Sequence, residues 1–241
     1  MCGIAGYYGP VKPRIMQLQL LWLLLQERGA DAAGAFWEDG HKTWFAKHSG
    51  SPAGFLSHTR KWWTTASYVL LHTRLATQGP ASNNANNHPI MAHDWAVTHN
   101  GVIWNDDAIP TKRRKTQCDS EAINWFARQH GIEKALTEDL LGWYTIAAVN
   151  LRKPKTVYLY TMAGELFISQ EENNIAWASD EEYLQIAGFP DVKPVEKGIL
   201  YVLNPTGIEE RDIGMPWDDI STKWLDPDSW PQDVYELAKE G

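Results

Sequence analysis

The stretch that most constrains this 241-residue chain is its beginning, where a cysteine at position 2 is followed by Gly3-Ile4-Ala5-Gly6-Tyr7-Tyr8 and then Gly9-Pro10. Small and apolar residues running into a turn pair read as a short buried strand. Such a strand holds Cys2 at its tip. Removal of Met1 would give that cysteine a free α-amine beside its thiol. A thiol with reference pKa about 8.5 and an α-amine near 7.7 to 8.0 exchange a proton for only about 1 kcal/mol. One residue can then supply nucleophile and general base together. The plainer reading is a small buried hydrophobe at the start of an edge strand, as most free cysteines are.

Further along, the leucine-rich run Ile15 to Glu27 lacks glycine and proline and reads as a buried helix, stopped where Gly29 can take a left-handed cap. Ala33 to Trp37 and Thr43 to Lys47 alternate around Asp39-Gly40, which predicts a hairpin. Tyr68 to Arg74 and Trp95 to His99 read as central strands, with Gly79 to Asn87 a loop between them. Glu121 to His130 fits an amphipathic helix with Asp119-Ser120 as its N-cap region. Four β-rich segments follow at Tyr144 to Leu151, Thr156 to Tyr160, Leu166 to Gln170 and Ile175 to Ser179, patterned like an antiparallel meander. A short helix, Glu181 to Ile186, and a hairpin around Ile199 to Leu203 complete one domain, bounded at 2–214. Residues 215–241 form a tail in which Trp217, Trp224 and Trp230 alternate with prolines and acids; it either covers its own domain or anchors a partner.

A net charge of -8 argues against a nucleic-acid surface, because phosphate backbones are met by lysine and arginine clusters. The one basic block, Lys112-Arg113-Arg114-Lys115, reads as a solvated loop. Two cysteines without a CxxC pair suit a reducing, cytoplasmic compartment. The apolar run Leu18 to Leu25 is far short of the roughly 20 residues that cross a bilayer, so no membrane partner is expected. His72, His88 and His99 are not at metal-ligand spacing and read as structural or supporting residues; no metal or organic cofactor is called for.

Four further motifs accompany Met-Cys-Gly-Ile: Arg28-Gly29-Ala30-Asp31-Ala32-Ala33-Gly34, His72-Thr73-Arg74-Leu75-Ala76-Thr77, His99-Asn100-Gly101 and Asp119-Ser120-Glu121. In this order and spacing they resemble the glutaminase domain of class II glutamine amidotransferases, members of the N-terminal nucleophile hydrolases. The likeness covers about the first 190 residues. It extends to Asn84 to Pro89, Leu141-Gly142-Trp143-Tyr144 and Ala178-Ser179-Asp180, and looks closest to the glutaminase halves of glucosamine-6-phosphate synthase and amidophosphoribosyltransferase.

That resemblance implies an α+β fold, a four-layer α/β/β/α sandwich with two mainly antiparallel sheets, and L-glutamine as substrate. Cys2 would attack the side-chain amide, Asn100 and the Gly101 N–H would hold the oxyanion, and the glutamyl thioester would be hydrolysed to glutamate. Arg74 suits bidentate capture of the substrate carboxylate. Asp119 would take the ammonium, Thr77 would add a hydroxyl, and Arg28 would shape the nucleophile end. Each has a structural counterpart: an ion pair for Arg74, an N-cap for Asp119, a strand end for Thr77, a surface salt bridge for Arg28, and an Asn-Gly hairpin turn for Asn100-Gly101.

Two departures stand at Leu75 and Gln78, where aminosugar-forming relatives commonly carry tryptophan and histidine, which leaves the ammonia acceptor open. The roughly fifty residues after the last matching motif are too few for a synthase domain. The expectation is therefore a separate synthase subunit that receives ammonia, or a stand-alone hydrolase. The alternatives are an N-terminal-nucleophile enzyme acting on another amide, and a non-catalytic binding protein that keeps the fold.

Overall fold

The computed structural model of the protein describes residues 1–162 and 165–216, so the tryptophans of the tail lie outside the described residues. The opening strand β1 (Gly3–Tyr8) is buried along its whole length. Helix α1 (Ile15–Leu24) follows and buries Ile15, Leu18, Leu21 and Trp22 at helical spacing, leaving Met16 and Leu20 exposed. The helix ends earlier than its leucine content predicts, because Leu25–Arg28 tightens into a 3-10 turn. Gly29 is extended (φ 169°), not left-handed. Glycine is needed there for room: a Cβ would lie 2.5 Å from the Leu75 nitrogen and 2.6 Å from the Arg74 carbonyl carbon.

The predicted hairpin is β2 (Ala32–Glu38) with β3 (Thr43–Ser49), followed by α2 (Leu56–Trp63) and β4 (Tyr68–Arg74). After the loop come β5 (Ile90–Ala92), β6 (Trp95–Ile103), α3 (Glu121–His130) and the single turn α4 (Ile132–Lys134). The rest is β7 (Gly142–Asn150), β8 (Val157–Thr161), β9 (Phe167–Glu171), β10 (Asn174–Ala178), α5 (Glu181–Ile186), β11 (Lys193–Pro194), β12 (Ile199–Asn204) and β13 (Gly207–Asp212).

These strands form two antiparallel sheets, ordered β11-β9-β10-β1-β4-β2-β3 and β13-β12-β8-β7-β6-β5. Two expectations change here. The four segments predicted as one meander split between the sheets, β7 and β8 in one and β9 and β10 in the other. Cys2 does not begin an edge strand either: β1 lies between β10 and β4, with Ala5 opposite both Ala178 and Leu71.

Strand alternation sorts the core into layers. Ile4, Tyr8, Phe36, Tyr68, Leu70 and Trp177 of the first sheet meet Ala96, Ala147, Val149, Leu159 and Tyr201 of the second. On the outer face of the first sheet Ala5, Tyr7, Val69 and Leu71 pack on Leu18, Leu21, Trp22, Trp63 and Leu184 of α1, α2 and α5. The outer face of the second presents Val97, Tyr144, Ile146 and Ala148 to Ala122, Ile123 and Ala127 of α3. The result is the expected helix/sheet/sheet/helix sandwich. Continued to the strand ends, the same alternation puts Cys2 with Ile4, Arg74 with Leu70, and Asn100 with Ala96, all on faces that look between the sheets.

Candidate active site

Cys2, Arg74, Thr77, Gly101 and Asp119 line one small cavity, together with Leu75, His88, His99, Cys118 and Ser120. They come from separate segments of the chain. Cys2 precedes β1, Arg74 ends β4, Gly101 is near the end of β6, and Asp119 lies just ahead of α3. A larger cavity of about 450 Å³ lies at the far end of β1, around Tyr8, Glu38 and Tyr68. Its one acid is satisfied by the Gly40 N–H at 2.7 Å and by the Ser67 hydroxyl.

Arg74 is 2 % exposed, yet among the described residues it enters no ion pair. Its guanidinium donates to Asn87 Oδ1 at 2.9 Å, to the Gly79 carbonyl at 2.9 Å and to the Gln78 carbonyl. The structural ion pair considered for it is absent from that set. Asp119 is likewise buried, and its Oδ2 and Oδ1 accept from the Ile103 and Ser120 N–H groups at 2.8 Å each. It is not the cap of α3, since Ser120 stands at the N-cap position. A buried cation and a buried anion thus share a cavity, and each is held by neutral partners.

The imidazoles nearby do not neutralise Asp119. Burial, and then the neighbouring charges, pushes His88 well below its usual range; burial also lowers His99, against the pull of Asp119. His72 is driven down to about 3, chiefly by burial. It donates Nε2–H to the His99 carbonyl at 3.0 Å. His88 Nε2 and His99 Nδ1 both reach the Ser120 hydroxyl, at 2.9 and 2.8 Å, and Asp119 Oδ1 lies 3.4 Å from the same oxygen. These histidines tie β4, the loop before β5, and β6 to the start of α3.

Cys2 Sγ lies 3.6 Å from the Leu75 carbonyl. Burial raises its thiol above the ordinary value, and the Leu75 bond and the Arg74 charge pull it back only in part. The near-match of thiol and amine expected from reference values therefore shifts toward the protonated thiol. Cys118 is buried on the same wall, its thiol pushed up to about 11 by burial and by Asp119.

Arg28 and Asn100 are off the cavity lining but joined to it. Arg28 is no surface residue: its side chain is 13 % exposed and its Nε donates to the Cys2 carbonyl at 3.1 Å. Its Nη2 pairs with Glu165 Oε2, the same oxygen that accepts from Asn100 Nδ2 at 3.0 Å. Asn100-Gly101 is not a hairpin turn. Both residues lie within β6, paired with Thr145 and Tyr144 of β7. Gly101 has φ +131°, and a Cβ there would sit 1.9 Å from the Trp143 carbonyl oxygen.

The other motif residues hold backbone in place. Asp31 Oδ2 accepts from the Ala76 N–H at 2.8 Å, and the Asp31 N–H donates to the Arg74 carbonyl at 3.0 Å. Glu121, fully buried, accepts from the Lys115 and Thr116 N–H groups. At the two departures, Leu75 and Gln78, the site uses main-chain carbonyls, so the side-chain changes leave those bonds intact. Sequence reasoning missed Glu165, which belongs to no motif, and the bridging part of Ser120, which was legible only as a helix start.

Two layered antiparallel sheets with a cysteine, a buried arginine and a buried aspartate converging at one end define an N-terminal nucleophile hydrolase fold of the glutaminase type. The comparisons with known proteins agree, and the chain carries the glutaminase-domain fold of class II glutamine amidotransferases. It is 29% identical over 226 residues to a glutamine–fructose-6-phosphate aminotransferase (isomerizing) of Symbiobacterium thermophilum, covering 86% of this chain and 36% of that protein. To the enzyme of that name from Streptococcus pneumoniae it is 30% identical over 195 residues, covering 75% and 32%. The chain thus spans about a third of the length of these curated relatives. No protein-family model matches it. Among solved structures, a glutamine phosphoribosylpyrophosphate amidotransferase from B. subtilis superposes with a TM-score of 0.71 at 18% identity, over 89% of this chain and 50% of that one. A glutamine aminotransferase class-II domain protein from Silicibacter pomeroyi gives 0.53 at 16%, over 88% and 100%.

Proposed function

We propose that the chain hydrolyses the side-chain amide of L-glutamine to glutamate and ammonia through a thioester on Cys2, and passes the ammonia to an acceptor on a separate synthase subunit. The observation that carries this reading is the pair Arg74 and Asp119: opposite charges, both buried, both lining the cavity that holds Cys2, and neither ion-paired among the described residues. Leaving buried charges without charged partners is costly. An amino-acid zwitterion supplies both partners at once.

Arg74 exchanges the Gln78 and Gly79 carbonyls for the substrate α-carboxylate, Asp119 takes the α-ammonium, and Thr77 adds its hydroxyl. With Met1 removed, the Cys2 α-amine accepts the thiol proton and the sulfur attacks the amide carbon. The Asn100 amide and the Gly101 N–H stabilise the tetrahedral oxyanion, the protonated amine gives its proton to departing ammonia, and water cleaves the thioester to glutamate. The cavity measures about 20 Å³. That is room for about one water, so binding opens the exposed Leu75–Gln78 segment. The reading places this in a domain spanning 2–214, in the cytoplasm, where thiols stay reduced.

The test is intact-mass measurement of the purified chain followed by a glutaminase assay on wild type and Cys2→Ala. Loss of Met1 and glutamate formation abolished by the substitution are expected. Equal turnover in the variant defeats the thioester; hydrolysis of amides that lack the α-carboxylate, at the rate of glutamine, defeats the zwitterion reading.

A further inference from the structure

Nucleophile and oxyanion donor arise from different sheets, Cys2 from the head of β1 and Asn100 from β6. Packing of two sheets tolerates small sliding, whereas a reacting atom misplaced by about 1 Å can cost on the order of a hundredfold in rate. Something must tie the two together. The connection that leaves β8 in the second sheet for β9 in the first carries Glu165. One of its oxygens accepts from Asn100 Nδ2 at 3.0 Å and pairs with Arg28 Nη2, while Arg28 Nε donates to the Cys2 carbonyl at 3.1 Å. We infer that Glu165 is a positioning residue, whose carboxylate sets the register between the Cys2 main chain, through Arg28, and the Asn100 amide.

Two chemical points support this role. An ionised carboxylate can only accept, so it decides which end of the Asn100 carboxamide faces it: the NH2 end. That nitrogen carries two hydrogens. One is spent on Glu165 and the second is left for the oxyanion, from a side chain that is 5 % exposed. Glu165 also reaches both partners through a single oxygen, Asn100 directly and the Cys2 main chain through Arg28, and like Asn100 it is not among the residues lining the cavity with Cys2 and Gly101.

The inference rests on the glutaminase reading, which wild-type turnover tests independently; the variants below are read only as ratios to it. Glu165→Ala, in the full chain, is expected to lower kcat at least tenfold with KM for glutamine within about twofold of wild type, because Arg74, Asp119 and Thr77 are untouched. Glu165→Gln, which keeps an acceptor oxygen of the same reach, is expected to recover a large part of kcat. In the Asn100→Ala background, Glu165→Ala is expected to cost less than twofold more. Unchanged kcat overturns the inference. A raised kcat also overturns it and identifies the carboxylate as a plug on the amide. So does a full additional loss on top of Asn100→Ala, which means general destabilisation, read alongside the melting temperatures of wild type and the four variants.

Discussion

At the scale of single residues, the site is built from side chains whose substitutions should separate binding from chemistry. Arg74→Lys keeps the charge but loses the planar fork that a carboxylate engages twice. Charge-assisted bonds of this kind contribute about 1.5–3 kcal/mol, so KM for glutamine should rise about tenfold or more while kcat changes less. Steady-state kinetics checks this; a loss confined to kcat would remove Arg74 from substrate binding. Gly101 is constrained by geometry alone. With φ +131° and the Trp143 oxygen 1.9 Å from where a Cβ would stand, Gly101→Ala should cost upwards of about 3 kcal/mol in urea unfolding and abolish turnover.

At the scale of elements, motif residues hold neighbouring segments together. Ser120 joins His88, ahead of β5, to His99 in β6 through one hydroxyl at the start of α3. Ser120→Ala leaves two buried imidazole nitrogens without their partner, and unsatisfied buried groups cost about 1–3 kcal/mol each. A stability loss of about 2–4 kcal/mol by denaturant titration is expected. Asp31 performs a lighter task. Its carboxylate holds the Ala76 N–H and so the segment that carries Thr77. Asp31→Ala should cost about 1 kcal/mol and raise KM a few-fold with kcat nearly intact, which the same assays read.

Across the whole molecule, three buried histidines have pKa values lowered by burial, His72 to about 3 and His88 and His99 in the same direction from 6.5. In the unfolded chain they titrate near 6.5, so below that pH the unfolded state binds more protons than the folded one. Their contribution to stability is complete above about 6.5 and is lost as pH falls toward the folded values. Each can cost up to about 1.4 kcal/mol per pH unit. Unfolding free energies measured from pH 7 down to pH 4 should fall steeply, and His72→Asn should flatten the slope; a flat wild-type profile would contradict the burial of these rings in neutral form.

The reach of the sequence differs between these scales. Continuous small and apolar runs located β1 and β4, because both faces of each strand are covered, and helical periodicity located α3, because one of its faces is buried. It could not say which sheet receives β9, since the strand pattern is the same whichever neighbour it pairs with, and so one expected meander became two half-sheets. Likewise Asn100-Gly101 carries a turn signature, but the dipeptide lies inside a strand because β7 approaches too closely for any other residue at 101.

Local chemistry determined the identity of the candidate site residues: a cysteine at the head of a strand, an arginine and an aspartate near strand and helix ends, an asparagine before a glycine. These depend on residue type and on spacing along the chain, which the sequence displays directly. Only tertiary structure decided that Arg74 and Asp119 stand without charged partners among the described residues, that β1 lies inside its sheet, and that Glu165 ties Arg28 to Asn100. Those are properties of distance between segments up to 175 residues apart, and no local pattern encodes a contact whose partners are brought together only when the chain folds.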